Sequence, residues 1–172
     1  MTVSPRSPRP AAAIFDVDGV VSPVHGGTAW GDDVVAGNVF GPVPVSATLC
    51  TRLDALAATP GVQCWWLTSW TPEMRQGMRP FPGRTWHTVA EPPLRQTGRA
   101  WWKWTALQRW LAQHADVLRL AWCDDHLTPG RARRIGPALE ARGVEGLLIA
   151  PATHTGLTPA DVGRIERHLG VR

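Results

Sequence analysis

The sequence predicts an α/β protein in which helices cover both faces of a parallel sheet. Three observations predict it. Short apolar runs alternate with helix-period segments, the runs lack the polar alternation of a half-exposed strand, and acidic or hydroxyl residues stand directly after three of them. Ala11 to Phe15 (AAAIF) is the first run, followed by Asp16 and Asp18. An irregular, glycine-rich stretch extends from Ser22 to Pro44. Ser46 then opens a helix with Leu49, Leu53 and Leu56 along one side, and Thr59, Pro60 and Gly61 stop it. Val62 to Leu67 (VQCWWL) is a second strand ending in Thr68, Ser69 and Trp70. Thr71 caps a short helix, with Pro72 in its first turn and Glu73 beside its positive end. Thr85 to Val89 reads as a weaker third strand and Glu91 to Gly98 as a loop. A tryptophan-rich helix from about Trp101 to His114 leads to Val117 to Cys123, a fourth strand that delivers Asp124 and Asp125. A helical segment interrupted by Gly136 and Pro137 precedes a fifth strand, Gly146 to Ala150. Thr158, Pro159 and Asp161 form the capped start of the last helix.

A chain of 172 residues, 44% of them hydrophobic, supports one domain with its own core. The expected organisation is a basic, proline-rich, disordered leader over residues 1 to 10 and a single domain over residues 11 to 172. No apolar stretch is long enough for a signal peptide or a membrane span, and Cys50, Cys64 and Cys123 show no paired spacing. A secreted disulfide scaffold and a membrane protein are thereby disfavoured, and the cytoplasm is the expected location. The net charge of +4 is uneven: residues 61 to 120 carry eight basic and three acidic side chains, whereas residues 1 to 60 carry three and five. Anionic partners are modestly favoured. Lys103 is the single lysine among 18 basic residues, which raises the question of what a compact ammonium does there.

Carboxylates after buried strands call for a reason, because a buried unpaired carboxylate is costly and is usually solvated, paired or holding a metal. Gly19 allows the turn that lets Asp18 point back toward Asp16. Ligands of such sheets bind at the carboxyl ends of the strands, and three separate strand ends here bear Asp16 with Asp18, Thr68, and Asp124 with Asp125. On a helical wheel Lys103 lies beside Leu107, Trp110 and Leu111 on the inward face of its helix, where it needs an anion.

These residues resemble the four motifs of the haloacid-dehalogenase-like (HAD) phosphohydrolases: DVDGV at Asp16 to Val20, Thr68 after VQCWWL, Lys103 in WWKW, and Asp124 with Asp125 in AWCDDH. Order and spacing fit from Ala11 to Leu169, and WLTSW, WWKW, WCDDH and GLTPAD further resemble a small capless branch found in RNA-repair proteins. The resemblance implies a Rossmann-like three-layer domain with a central sheet of about five strands in the order 3-2-1-4-5 and no sizeable cap. It implies Asp16 as nucleophile, Asp18 as general acid and base, and Thr68, the Ser69 amide, Lys103 and the Gly19 backbone as substrate contacts. It also implies Mg²⁺ held by Asp16, the main-chain carbonyl of Asp18 and Asp124, with Asp125 orienting that shell.

Both gaps between the motifs are short: Ser22 to Pro44 can form a flap, and Thr71 to Gly98 a small helix and loops. An open site suits a macromolecular end, and Arg75, Arg79, Arg84, Arg95 and Arg99 in the second gap suit a phosphate polymer. The expected activity is a Mg²⁺-dependent phosphomonoesterase acting on nucleic-acid ends or nucleotides. The alternative is a catalytically silent module that binds phosphate or a nucleic-acid end within a repair complex, against which the presence of Asp18 argues. His25 and His126 read as surface or hydrogen-bonded histidines. Trp30, Trp70, Trp101 and Trp102 could stack a base, although ordinary packing is the simpler expectation.

Overall fold

Every residue of β1 (Ala11–Phe15) is buried, and its side chains divide between two cores. Ala11, Ala13 and Phe15 join one hydrophobic cluster, Ala12 and Ile14 the other, as the two-residue period of a strand requires. The computed structural model describes residues 10–38, 41–76, 78–93 and 101–171. The expected leader therefore lies outside the described residues except for Pro10, as do Arg95, Arg99 and most of the Glu91 to Gly98 loop.

In chain order the elements are β1, β2 (Asp33–Asn38), β3 (Gly41–Ser46), α1 (Ala47–Ala57), β4 (Val62–Trp66), α2 (Pro72–Arg75), β5 (His87–Thr88), α3 (Trp102–Gln113), β6 (Arg119–Cys123), α4 (Pro129–Glu140), β7 (Glu145–Ile149) and α5 (Pro159–Leu169). The central sheet has five parallel strands in the order β5-β4-β1-β6-β7. Counted within that sheet, the order is the expected 3-2-1-4-5. On one face, Leu49, Leu53 and Leu56 of α1 and Val162, Ile165 and Leu169 of α5 pack with Val62, Cys64, Trp66, Ala121 and Cys123. On the other, Leu107, Trp110 and Leu111 of α3 and Ile135 and Leu139 of α4 pack with Leu120 and Trp122. Three layers result, and the three cysteines are buried free thiols.

Local sequence explains most helix starts. The Ser46 hydroxyl accepts from the Leu49 N–H at 2.9 Å, and Thr158 and Asp161 form a reciprocal capping box at α5. The expected break at Gly136 and Pro137 does not occur, and α4 continues through both residues. Pro137 is exposed, and the burial of Ile135 and Leu139 on either side of it holds the helix on the sheet despite the missing N–H.

The Ser22 to Pro44 stretch is not irregular throughout, because β2 and β3 form an antiparallel hairpin in which Val35 faces Pro44 and Gly37 faces Pro42. Prolines are tolerated because a two-stranded sheet has only edges. Neither this hairpin nor the four-residue α2 amounts to a sizeable cap among the described residues. No helix among them is long and apolar enough to cross a membrane.

Candidate active site

Register puts three strand ends at one level. Phe15 pairs with Trp66 on one side and Cys123 on the other, so the chain leaves β1 at Asp16, β4 at Leu67 and Thr68, and β6 at Asp124 along the same edge. The Asp16 N–H donates to the Cys123 carbonyl at 3.0 Å and the Asp124 N–H to that of Ile149 at 3.0 Å, carrying the ladder one residue past each strand.

Lys103, on the first turn of α3, reaches this edge. Its Nζ donates to Asp16 Oδ2 and, at 2.7 Å, to Asp124 Oδ2. All three side chains are buried. The Val17 N–H donates to Asp16 Oδ1 at 2.7 Å and the His126 N–H to Asp124 Oδ1 at 2.9 Å, so both carboxylates are fixed at both oxygens. Burial works to lower the pKa of Lys103, but Asp16 and Asp124 outweigh it and hold the ammonium above its usual range. Burial pushes the Asp124 carboxyl up, with the Lys103 ammonium pulling the other way.

The loop after Asp16 curls back on one carbonyl. The N–H groups of Val20, Val21 and Ser22 all approach the Val17 oxygen at 3.0–3.2 Å, and the Gly19 N–H donates to Ser22 at 2.7 Å. Gly19 has φ 68°, and a Cβ there would collide with the Asp125 carboxylate, so glycine serves both the turn and the close approach. Asp125 in turn accepts from Thr153 Oγ1 at 2.7 Å and lies 2.6 Å from His126 Nδ1. Ligand atoms of Asp16, Asp124, Asp125 and His126 all lie within 4.8 Å of one another. Three carboxylates facing one ammonium leave uncompensated negative charge on hard oxygen donors, a donor set that fits Mg²⁺.

The fold thus brings Asp16, Lys103 and Asp124 into direct contact and sets Asp125 and Gly19 beside them. Asp18 turns aside, and its Oδ2 accepts from the Trp70 indole at 2.8 Å. Burial raises the Asp18 carboxyl, partly offset by this hydrogen bond. Thr68 is buried at the end of β4 with its Oγ1 accepting from the Trp70 N–H at 3.2 Å, and Ser69 is exposed. Neither has a hydrogen bond to the carboxylates among the described residues.

Sequence reasoning missed two partners. His126 is exposed and hydrogen-bonded as expected, yet its ring nitrogen also belongs to the acid cluster; its place directly after CDD was the available signal. Trp70 is buried and stacks on Phe81, with centroids 6.5 Å apart and planes at 9°, so it does not offer a face to a base. Its bond to Asp18 spans 52 residues and has no local signature. Trp30 donates to the Leu157 carbonyl at 2.7 Å, and Trp101 stacks on Trp122 beneath Arg131; both are packing residues. Trp102 places its ring 6.0 Å from Lys103 Nζ.

A groove of about 980 Å³ opens at the β5 edge, lined by Arg75, Arg79, Arg84, Trp65, Trp86 and Glu91 among others. Arg75 links it to the site by donating to the Trp70 carbonyl and, at 2.9 Å, to Thr88 Oγ1.

No curated protein and no solved structure matches the chain. One family model does, the HAD domain in Swiss Army Knife RNA repair proteins, over residues 13–162. This match, with the acid cluster at the sheet edge, supports a phosphohydrolase-type function. The chain therefore belongs to the family of HAD domains found in Swiss Army Knife RNA repair proteins.

Proposed function

We propose that residues 11 to 172 form a single catalytic domain, a Mg²⁺-dependent phosphomonoesterase that works through an aspartyl-phosphate on Asp16 and acts on phosphorylated nucleic-acid ends. The observation that carries this reading is the contact of Lys103 with both Asp16 and Asp124 at the aligned ends of β1 and β6, with Asp18 two residues beyond. Asp16, the Asp18 carbonyl and Asp124 would hold Mg²⁺, with Asp125 and His126 orienting or completing that set. The metal supplies positive charge that lets a carboxylate approach a phosphate.

The chain's own groups account for the rest. An Asp16 oxygen attacks phosphorus while the bond from phosphorus to the leaving oxygen breaks and Asp18 gives that oxygen a proton. Asp18, now a carboxylate, takes a proton from water, whose oxygen attacks the same phosphorus. The bond to Asp16 breaks, and inorganic phosphate leaves. A carboxyl raised by burial is suited to the first of these proton transfers. The Thr68 hydroxyl accepts from the Trp70 N–H, which leaves its own proton for a phosphoryl oxygen, and the Ser69 N–H is the second donor. Lys103 balances the charge that gathers at Asp16 and the phosphoryl group.

The nucleic-acid assignment rests on the family's RNA-repair description and on the arginine-bearing groove that Arg75 ties to the site. The three buried free thiols support a reducing compartment, the cytoplasm. The test is phosphate release, with and without Mg²⁺, from 3′- and 5′-phosphorylated oligonucleotides, mononucleotides and sugar phosphates, for the parent and Asp16→Asn. Release from oligonucleotide ends that Asp16→Asn abolishes is expected. Folded, Mg²⁺-binding protein that releases phosphate from nothing would favour the silent binding module, and a preference for sugar phosphates would overturn the substrate class.

A further inference from the structure

We propose that Trp70 is a positioning residue that dictates which oxygen of Asp18 exchanges the catalytic proton. The inference rests on Asp18 as the general acid and base. The indole can donate a hydrogen bond but never accept one, so the oxygen it engages, Asp18 Oδ2, acts as an acceptor whether the carboxyl is ionised or protonated. The proton is then favoured on Oδ1, because the hydroxyl oxygen of a carboxyl is a weaker acceptor than its carbonyl oxygen. Among the described residues Oδ1 has no hydrogen-bond partner, which leaves it available to a leaving oxygen and then to water. A carboxyl rotated to place its proton on Oδ2 would set that proton against the indole N–H.

The indole is itself held. The Trp70 N–H donates to Thr68 Oγ1 at 3.2 Å, its carbonyl accepts from Arg75 Nη1, and its ring lies nearly parallel to Phe81. The ring is buried, so its N–H has a defined direction. Through these contacts the phosphate-facing Thr68, the arginine groove and the proton-transferring Asp18 converge on one side chain. A fixed oxygen matters because general acid catalysis demands hydrogen-bond reach to the leaving group, and a misplaced group forfeits much of the rate.

The test compares Trp70→Phe with the parent on two esters that differ in leaving group. A nucleoside monophosphate needs its leaving alkoxide protonated, whereas p-nitrophenyl phosphate leaves as a stable phenolate without help. Trp70→Phe keeps a ring against Phe81 and removes the N–H. Hydrolysis of the phosphoryl group on Asp16 is common to both esters, so the first transfer is read by rapid mixing. Its rate should fall about 10- to 100-fold on the nucleotide and under about 3-fold on the nitrophenyl ester, with little change in KM on either. In an Asp18→Asn background Trp70→Phe should add nothing further. Should Trp70→Phe not fold by thermal denaturation, Trp70→Met keeps apolar bulk without a donor and is held to the same pattern. Equal losses of that first-transfer rate on both esters, or no loss on the nucleotide, would overturn the inference while leaving the phosphatase reading intact. A parent that releases phosphate from neither ester nor from a phosphorylated oligonucleotide end would overturn the two together.

Discussion

The centre of the sheet and its β5 edge end at the same level, since Trp66 pairs with both Phe15 and Thr88, and are built in opposite ways. At the centre, β1 is flanked on both sides along its full length, and the Asp16 and Asp124 carboxylates at its end are buried and hydrogen-bonded at both oxygens. At the edge, β5 has two residues, Arg79 and Arg84 are exposed, and the lining is a mixture of rings and charges. Phosphoryl transfer needs groups that do not move while charge develops, and a packed strand end provides them. A polymer end needs long-range attraction and tolerance, which solvated arginines provide. On the proposed reading the difference separates chemistry from recognition, and Trp70 with Arg75 is the seam between them.

Several substitutions would break or sharpen that contrast. The largest effect is expected from Lys103→Met, which leaves Asp16 and Asp124 buried against each other without a counter-charge. Activity should fall by at least about 10³-fold, a loss of the size associated with removing a stabilising charge from a site of this kind. Stability should fall by roughly 3–5 kcal/mol, the penalty typical of a broken buried ion pair. Added Mg²⁺ should raise the melting temperature of this variant more than that of the parent, and equal responses in calorimetry would remove the acid cluster as a cation site.

At the edge, Arg79→Ala with Arg84→Ala should raise KM for an oligonucleotide by about 3- to 30-fold and flatten its salt dependence, leaving kcat nearly unchanged. An unchanged KM would remove the groove from the account. Cys50 is pushed up to about 12, first by burial and then by the nearby Asp54 and Asp32 charges, and burial also raises Cys64 and Cys123. A raised thiol stays neutral, and unreactive, until the pH approaches its shifted value. Alkylation of the native protein should therefore be negligible at neutral pH, with all three thiols reacting only after unfolding. The smallest effect belongs to Val35→Ser on β2. Val35 is 66% exposed, and its replacement should change stability by less than about 0.5 kcal/mol.

Legibility in the sequence follows the same division. Ala11–Phe15, Val62–Trp66 and Arg119–Cys123 announce themselves because strands buried on both faces have no polar alternation, and the residues that end them stand out by charge. Lys103 was legible because an inward ammonium needs a partner. The β2–β3 hairpin was hidden because Gly37, Gly41, Pro42 and Pro44 read as breakers, and only the cross-strand pairing shows why they are tolerated. His126 was visible as a residue, but not its company, since its partners are the acids of its own loop, of which Asp125 is held by Thr153 and lies against Gly19 from elsewhere. The bond from Trp70 to Asp18 depends on how far the β4 turn reaches over the β1 loop, a distance that no local pattern encodes.

The most direct test of the central claim is a rapid-mixing experiment on Asp18→Asn with p-nitrophenyl phosphate and Mg²⁺, followed by acid quench and peptide mass analysis. The good leaving group lets the first transfer proceed without the acid, while the second stalls without the base. The account predicts a burst of about one nitrophenolate per protein and a phosphoryl adduct on the peptide carrying Asp16, absent when Asp16 is also changed to Asn. Folded, Mg²⁺-binding Asp18→Asn protein that shows neither burst nor adduct while the parent turns over would contradict a covalent mechanism at Asp16.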